Sequence, residues 1–217
     1  MPLGCYAGPV FEAIFWDNDG VLVDTEGLYY RATREVLAGL GVDLSEEQYV
    51  ELFLRQARGA WHLVGGLSPE DIVAHRKRRD ELYGSFLDAG VTPIPGVADI
   101  VRRLARRHRM AIVTSSDHFE RIHRDPSFLG LFEFVLTPAH YQHSKPHPEP
   151  YLRAVERMGL DPQSCLVIED SERGLTAAKA AGLTCWVIPS GFTRGCAFAG
   201  ADRVLGSAAE LEALLAR

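Results

Sequence analysis

Short apolar runs that stop abruptly in polar residues constrain this chain more than any other feature. Ala13-Ile14-Phe15-Trp16 breaks into Asp17-Asn18-Asp19-Gly20, Ala111-Ile112-Val113 into Thr114-Ser115-Ser116-Asp117, and Leu166-Val167-Ile168 into Glu169-Asp170-Ser171. Val, Ile, Phe and Trp favour buried strands, and the polar groups that follow cannot extend them. Strands are expected at 11–16, 109–113, 134–136, 165–168, 185–188 and 202–205. Helical stretches are expected at 97–108, 118–123, 149–158, 174–181 and 208–215. Strands alternating with helices imply right-handed crossovers and a parallel sheet, an α/β Rossmann-like core. In such a sheet the polar strand ends converge on one edge, where ligand crevices form.

Residues 26–88 have a different texture. Leu28, Ala32, Val36 and Leu40 keep helical spacing, and Gly39 and Gly41 end that helix. Ser45-Glu46-Glu47 and Ser68-Pro69-Glu70-Asp71 each open a helix with a serine cap and acids at the positive dipole end. The expectation is a small helical domain at 26–91 inserted into a core made of 1–25 and 92–217. Residues 1–10 read as a loose leader without the charged start and apolar stretch of a signal peptide.

A chain of 217 residues with 47% hydrophobic residues has material for a sizeable core. Its net charge of -6 offers no basic footprint for nucleic acid, although a local cation can still reverse the field around a phosphorylated ligand. The four cysteines form no CxxC pair, so neither a zinc site nor a disulfide framework is indicated. No apolar run approaches the ~20 residues that span a bilayer. A monomer in a reducing cytoplasm is the default expectation.

The strand-end residues carry the candidate chemistry. Asp17 and Asp19 could share one space as nucleophile or metal ligand and as acid/base; the same residues also form ordinary turns. Thr114 and the turn after it could bind an anion, or Ser116 and Asp117 could cap the following helix. Lys145, boxed by prolines in Ser144-Lys145-Pro146-His147-Pro148, could hold a fixed charge over a phosphate or face solvent. Glu169 and Asp170 could supply carboxylate oxygens to a hard cation such as Mg2+, while Ser171 reads as a helix cap.

Taken in order, Asp-x-Asp-Gly-Val-Leu-Val-Asp-Thr-Glu, strand-Thr-Ser, Lys-Pro-x-Pro-Glu-Pro-Tyr and Glu-Asp-Ser-x-x-Gly-x-x-Ala-Ala resemble the haloacid dehalogenase-like hydrolase superfamily. The branch containing β-phosphoglucomutase and phosphoglycolate phosphatase is the most similar, and its members carry a helical cap after the first motif. The resemblance implies that Asp17 is the nucleophile that forms an aspartyl-phosphate and Asp19 the general acid and base. It implies that Thr114 and Ser115 bind phosphate oxygens and that Lys145 steadies nucleophile and phosphoryl group. Asp170, helped by Glu169, would hold Mg2+ with Asp17 and the Asp19 carbonyl. The implied activity is hydrolysis of a small phosphorylated metabolite.

Some positions depart from the family pattern. Trp16 replaces a usual Phe, Asn18 stands where an apolar residue is usual, and Tyr29 stands where mutases have a histidine. A phosphomutase and a catalytically silent phospho-metabolite-binding protein are the alternatives, with phosphatase preferred because of Tyr29. A phosphonatase would need a cap lysine in an apolar setting, and Lys77 lies in a basic run. Substrate choice is assigned to the cap, with Arg55, Arg58 and His62 as candidates and one of Arg76, Lys77, Arg78 and Arg79 facing the cleft. His118, Glu120 and Arg121 are second-rank candidates.

Overall fold

The computed structural model describes residues 11–56 and 58–215; the leader expected at 1–10 lies outside them. Its strands are β1 (Ala13–Trp16), β2 (Val23–Asp24), β3 (Thr92–Pro93), β4 (Arg109–Val113), β5 (Phe134–Leu136), β6 (Cys165–Glu169), β7 (Thr184–Val187) and β8 (Arg203–Val204). Six of them form one parallel sheet in the order β5-β4-β1-β6-β7-β8. The first strand in sequence is therefore central, and its neighbours β4 and β6 come from much later in the chain. Trp16 pairs in register with Ile112 of β4 and Ile168 of β6. That register puts Asp17, Thr114 and Glu169 at the same sheet edge.

The helices are α1 (Glu26–Ala38), α2 (Glu46–Tyr49), α3 (Pro69–Ala89), α4 (Val97–Leu104), α5 (Phe119–Ile122), α6 (Pro126–Leu129), α7 (Glu149–Met158), α8 (Glu172–Ala180) and α9 (Ala208–Leu215). Alternation along β1 divides the core into two layers. Ile14 and Trp16 pack with Val97, Ile100 and Val101 of α4 and Leu211 of α9. Ala13 and Phe15 pack with Tyr151 and Ala154 of α7 and Leu175 and Ala178 of α8. A strand buried on both faces cannot alternate apolar with polar, which explains the continuous Ala-Ile-Phe-Trp run.

The segment between β2 and β3 is helical, as its periodicity predicts. Helix α1 packs along α3, and Tyr49, Trp61, Val36 and Leu37 close a second small core. Ser45 and Ser68 both cap as expected, each in a reciprocal pair with the residue three positions on, Gln48 and Asp71. Chain entry and exit run side by side, because β2 and β3 pair antiparallel at Val23↔Pro93 and Asp24↔Thr92. The helical segment therefore leaves and rejoins the rest of the chain at one place.

Differences from the sequence reading are local. The helix expected at 97–108 stops at Leu104, and the one expected at 118–123 shortens to α5. Helix α6, opened by Asp125 with Pro126 in its first turn, has only four residues and too little periodicity to be visible. Helix α2 runs on into a π-helical turn at Val50–Arg55. No helix among the described residues is long and apolar enough to cross a membrane.

Candidate active site

The first turn of the site is built by Asn18 and Gly20. After β1 the backbone carbonyl of Asn18 accepts the N–H groups of Leu22 and Val23 at 2.8 and 3.2 Å. Gly20 sits at φ 80°, and a Cβ there would collide with the Asp170 carboxylate and Ser190 Oγ. Only glycine combines that dihedral with so close an approach. The chain thereby folds back over the sheet edge and brings both Asp17 and Asp19 to the same cavity.

Lys145 joins three strands. Its Nζ donates to Asp17 Oδ1 at 2.7 Å, to Glu169 Oε1 at 2.7 Å and to the carbonyl of Val113 at 2.8 Å. All three ammonium protons are placed, and Lys145 is only 5% exposed. Burial works against that charge, but Asp17 and Glu169 outweigh it and hold the lysine pKa above its usual value. Glu169 is fully buried and its carboxylate is saturated. Oε1 also accepts the Tyr151 hydroxyl at 2.6 Å, and Oε2 accepts the Ser171 hydroxyl at 3.1 Å and the Asp170 N–H at 3.3 Å. Gly174 makes room for it, since a Cβ there would overlap the carboxylate.

Asp17, Glu169 and Asp170 offer carboxylate oxygens within 4.8 Å of one another. Burial raises the Asp17 pKa, with Glu169 adding to the effect, and pushes Asp170 well above the carboxylate range, with Asp17 adding to it. Three buried carboxylates sharing one ammonium are short of positive charge. Asp170 Oδ2 accepts the Ser190 hydroxyl at 2.7 Å, and Asp17 Oδ1 takes the lysine. Among the described residues no donor bonds to the other oxygen of either aspartate. A divalent cation bound through those two oxygens fits both the donor chemistry and the missing charge. Glu169, expected as a helper ligand, belongs to the same carboxylate group and also anchors Lys145.

Asp19 is held by hydroxyls. Thr25 donates to Oδ1, and Thr114 donates to Oδ2 at 3.2 Å. Thr114 itself is fully buried, and its Oγ1 also accepts the Ser116 N–H at 3.0 Å. Its hydroxyl therefore faces Asp19 and the turn that follows β4. Ser115 and Ser116 line the cavity, and among the described residues Ser115 Oγ has no partner.

The helical segment and the sheet edge together line a cavity of about 670 Å³, to which the sheet edge contributes Asp17, Asp19, Lys145 and Asp170. Of the substrate candidates only Arg58 lines it. Arg55 turns outward to Glu51 at 3.3 Å and Glu172 at 3.8 Å, and His62 is exposed on the turn Trp61–Leu63. Both sit in irregular turns whose direction no helical periodicity specifies. Two of the basic run reach the cavity, Arg76 and Arg79, where one was expected. Arg79 is pinned by Asp80 at 2.7 Å, with its guanidinium 4.7 Å from the ring centroid of Tyr29. His118 lines the cavity edge-on to Tyr83, while Arg121 pairs with Asp88 and Glu120 is exposed.

Several site residues were not foreseen. Tyr151 lies in a motif singled out for its lysine. Ser190 follows the end of β7, where the rule applied to the other strands would have found it. A second histidine-carboxylate cluster, His143, His147 and Glu149, lies on the outer side of the Lys145 loop. There Glu149 accepts the N–H groups of Gln142 and His143 at 3.1 and 2.9 Å and the His143 ring at 2.8 Å, which ties the loop to α7.

The sequence model of haloacid dehalogenase-like hydrolases matches residues 11–182. This chain belongs to that family. It is 35% identical to the protein CbbY of Cereibacter sphaeroides over 94% of this chain and 96% of CbbY. It is 31% identical to the fructose-1-phosphate phosphatase YqaB of Escherichia coli (strain K12), over 82% of this chain and 94% of that one. A mutant of CbbY from Rhodobacter sphaeroides, crystallised with xylulose-1,5-bisphosphate, superimposes with a TM-score of 0.76 at 32% identity, over 93% of this chain and 96% of that chain. The family member described here is a phosphomonoester hydrolase with the α/β Rossmann-like core of its relatives.

Proposed function

We propose that the protein is a Mg2+-dependent phosphatase of a small phosphorylated sugar, working through a phosphoryl group carried on Asp17. The observation that carries this reading is the pairing of Lys145 with Asp17 at 2.7 Å in a cavity that Asp19 also lines. Asp17 would attack phosphorus as the P–O bond to the sugar breaks, and the Asp19 carboxyl would give its proton to the departing oxygen. Water then attacks the phosphoryl group, Asp19 takes a proton from it, and Asp17 is released. Asp17, Asp170 and the Asp19 carbonyl would hold Mg2+, which supplies positive charge against the repulsion between carboxylate and phosphate dianion. Lys145 adds a fixed charge on the same side, and the Ser115 hydroxyl, in the turn that lines the cavity, would serve phosphate oxygens.

The cap would choose the substrate. Arg58, Arg76 and Arg79 line the cavity and suit the hydroxyls or a second anionic group of a sugar phosphate, as the substrates named for YqaB and the CbbY complex also suggest. Tyr29 supports phosphatase over mutase. Its ring lies edge-on to Phe53 and Tyr83, and burial raises its pKa, so it is no substitute for a histidine in proton transfer. The test is phosphate release from a panel of sugar monophosphates and bisphosphates with Mg2+ present. Arg58→Ala should raise KM for the best sugar substrate about tenfold while Arg55→Ala leaves it in place. A wild-type protein inert over the whole panel would contradict the proposal.

A further inference from the structure

Asn18 lies between the two aspartates and is fully buried, in a position where an apolar side chain would need no partner. A buried primary amide left unpaired is costly, so its contacts carry meaning. Oδ1 lies 2.5 Å from Nε2 of His123, and Nδ2 donates to Asp19 Oδ2 at 3.3 Å. His123 arrives from just beyond α5. Its ring is tilted against Phe119 at 4.8 Å and stacked on Phe128 at 5.9 Å between centroids. Burial lowers its pKa and favours the neutral ring. A neutral imidazole has one N–H, and an amide oxygen can only accept, so the proton sits on Nε2. That bond fixes which way the Asn18 amide is turned and aims its N–H at Asp19.

We propose that His123 and Asn18 are positioning residues that orient the Asp19 carboxyl toward the leaving oxygen of the substrate. Thr25 and Thr114 hold Asp19 from just after β2 and from just after β4, and Asn18 supplies a third donor from within the turn itself. A carboxyl that must give a proton to one atom and then take one from water needs a fixed direction, because proton transfer requires hydrogen-bond reach in both steps. The inference rests on the acid and base role given to Asp19 above.

The consequence is selective for the leaving group. An alkoxide departs poorly without a proton, whereas a nitrophenolate departs without help. The experiment compares kcat/KM for fructose 1-phosphate with that for p-nitrophenyl phosphate, both with Mg2+. His123→Phe keeps the ring packing against Phe119 and Phe128 but removes the N–H. The ratio of sugar to aryl phosphate should fall about tenfold in His123→Phe and in Asn18→Leu, and return to within about threefold of wild type in His123→Gln, which restores a donor. Circular dichroism monitors folding, and if His123→Phe does not fold, Asn18→Leu decides. An unchanged ratio, with both substrates falling together or neither falling, overturns the inference while leaving the phosphatase reading intact. A wild type that turns over neither substrate removes the reading itself, and the inference falls with it.

Discussion

Lys145 reaches Asp17 at 2.7 Å across the edge of the sheet, with side-chain exposures of 5% and 10%. The two residues lie 128 positions apart in sequence, so the pair exists only because β1 is threaded between β4 and β6. At this depth the ammonium is the protein's own counter-charge to Asp17 and Glu169, and the Val113 carbonyl fixes where it sits.

Lys145→Met keeps the volume of the side chain and removes the charge. The variant leaves two buried carboxylates facing each other, and breaking a buried pair from one side costs roughly 3 kcal/mol. Turnover of an aryl phosphate should drop by about 10²- to 10³-fold, comparable with the loss of one preorganised charge donor. Urea denaturation and steady-state kinetics measure the two effects. Full stability and activity in the variant would sever the link between this lysine and the site.

Gly174→Ala opposes two known magnitudes. Alanine in place of glycine inside a helix gains about 1 kcal/mol from propensity. The new Cβ, however, overlaps the Glu169 carboxylate, which has no free space because four donors hold it. Overpacking costs roughly 1–3 kcal/mol, so the net change should be destabilising, with a fall in kcat as Lys145 loses its partner. A stabilised variant with normal kcat would show that Glu169 has freedom to move.

Glu26 gives the pH dependence. Burial raises its carboxyl pKa from 4.5 to about 7, and its carboxylate accepts the Tyr49 hydroxyl. An acid whose pKa is raised in the folded state stabilises it below the unfolded value of 4.5, and that contribution is lost as pH rises through about 7. In metal-free protein, wild type should lose roughly 2 kcal/mol more than Glu26→Gln between about pH 5 and pH 8. Denaturation curves across that window measure it. Parallel profiles would place Glu26 in contact with water.

The sequence was most legible where one-dimensional pattern and three-dimensional burial coincide. Apolar runs such as Cys165-Leu-Val-Ile168 mark central strands because both faces are covered, and their polar ends mark the site edge. Asp17, Asp19, Glu169 and Asp170 were visible by that rule and Lys145 by its proline-boxed loop, and the structure brings them together. What escaped was direction. Whether Arg55 or Arg58 faces the cavity depends on turns that carry no periodicity. Asn18 escaped for another reason: its partner His123 is 105 residues away and joins it only through tertiary packing.

The central claim is that Asp17 carries the phosphoryl group. Acid-quenching the enzyme during turnover of a sugar phosphate, followed by proteolysis and mass spectrometry, tests it directly. The account predicts a peptide containing Asp17 heavier by one phosphoryl group, sensitive to hydroxylamine, and absent from Asp17→Asn. Undiminished phosphate release by Asp17→Asn, or a phosphoryl group trapped on another residue, would contradict it.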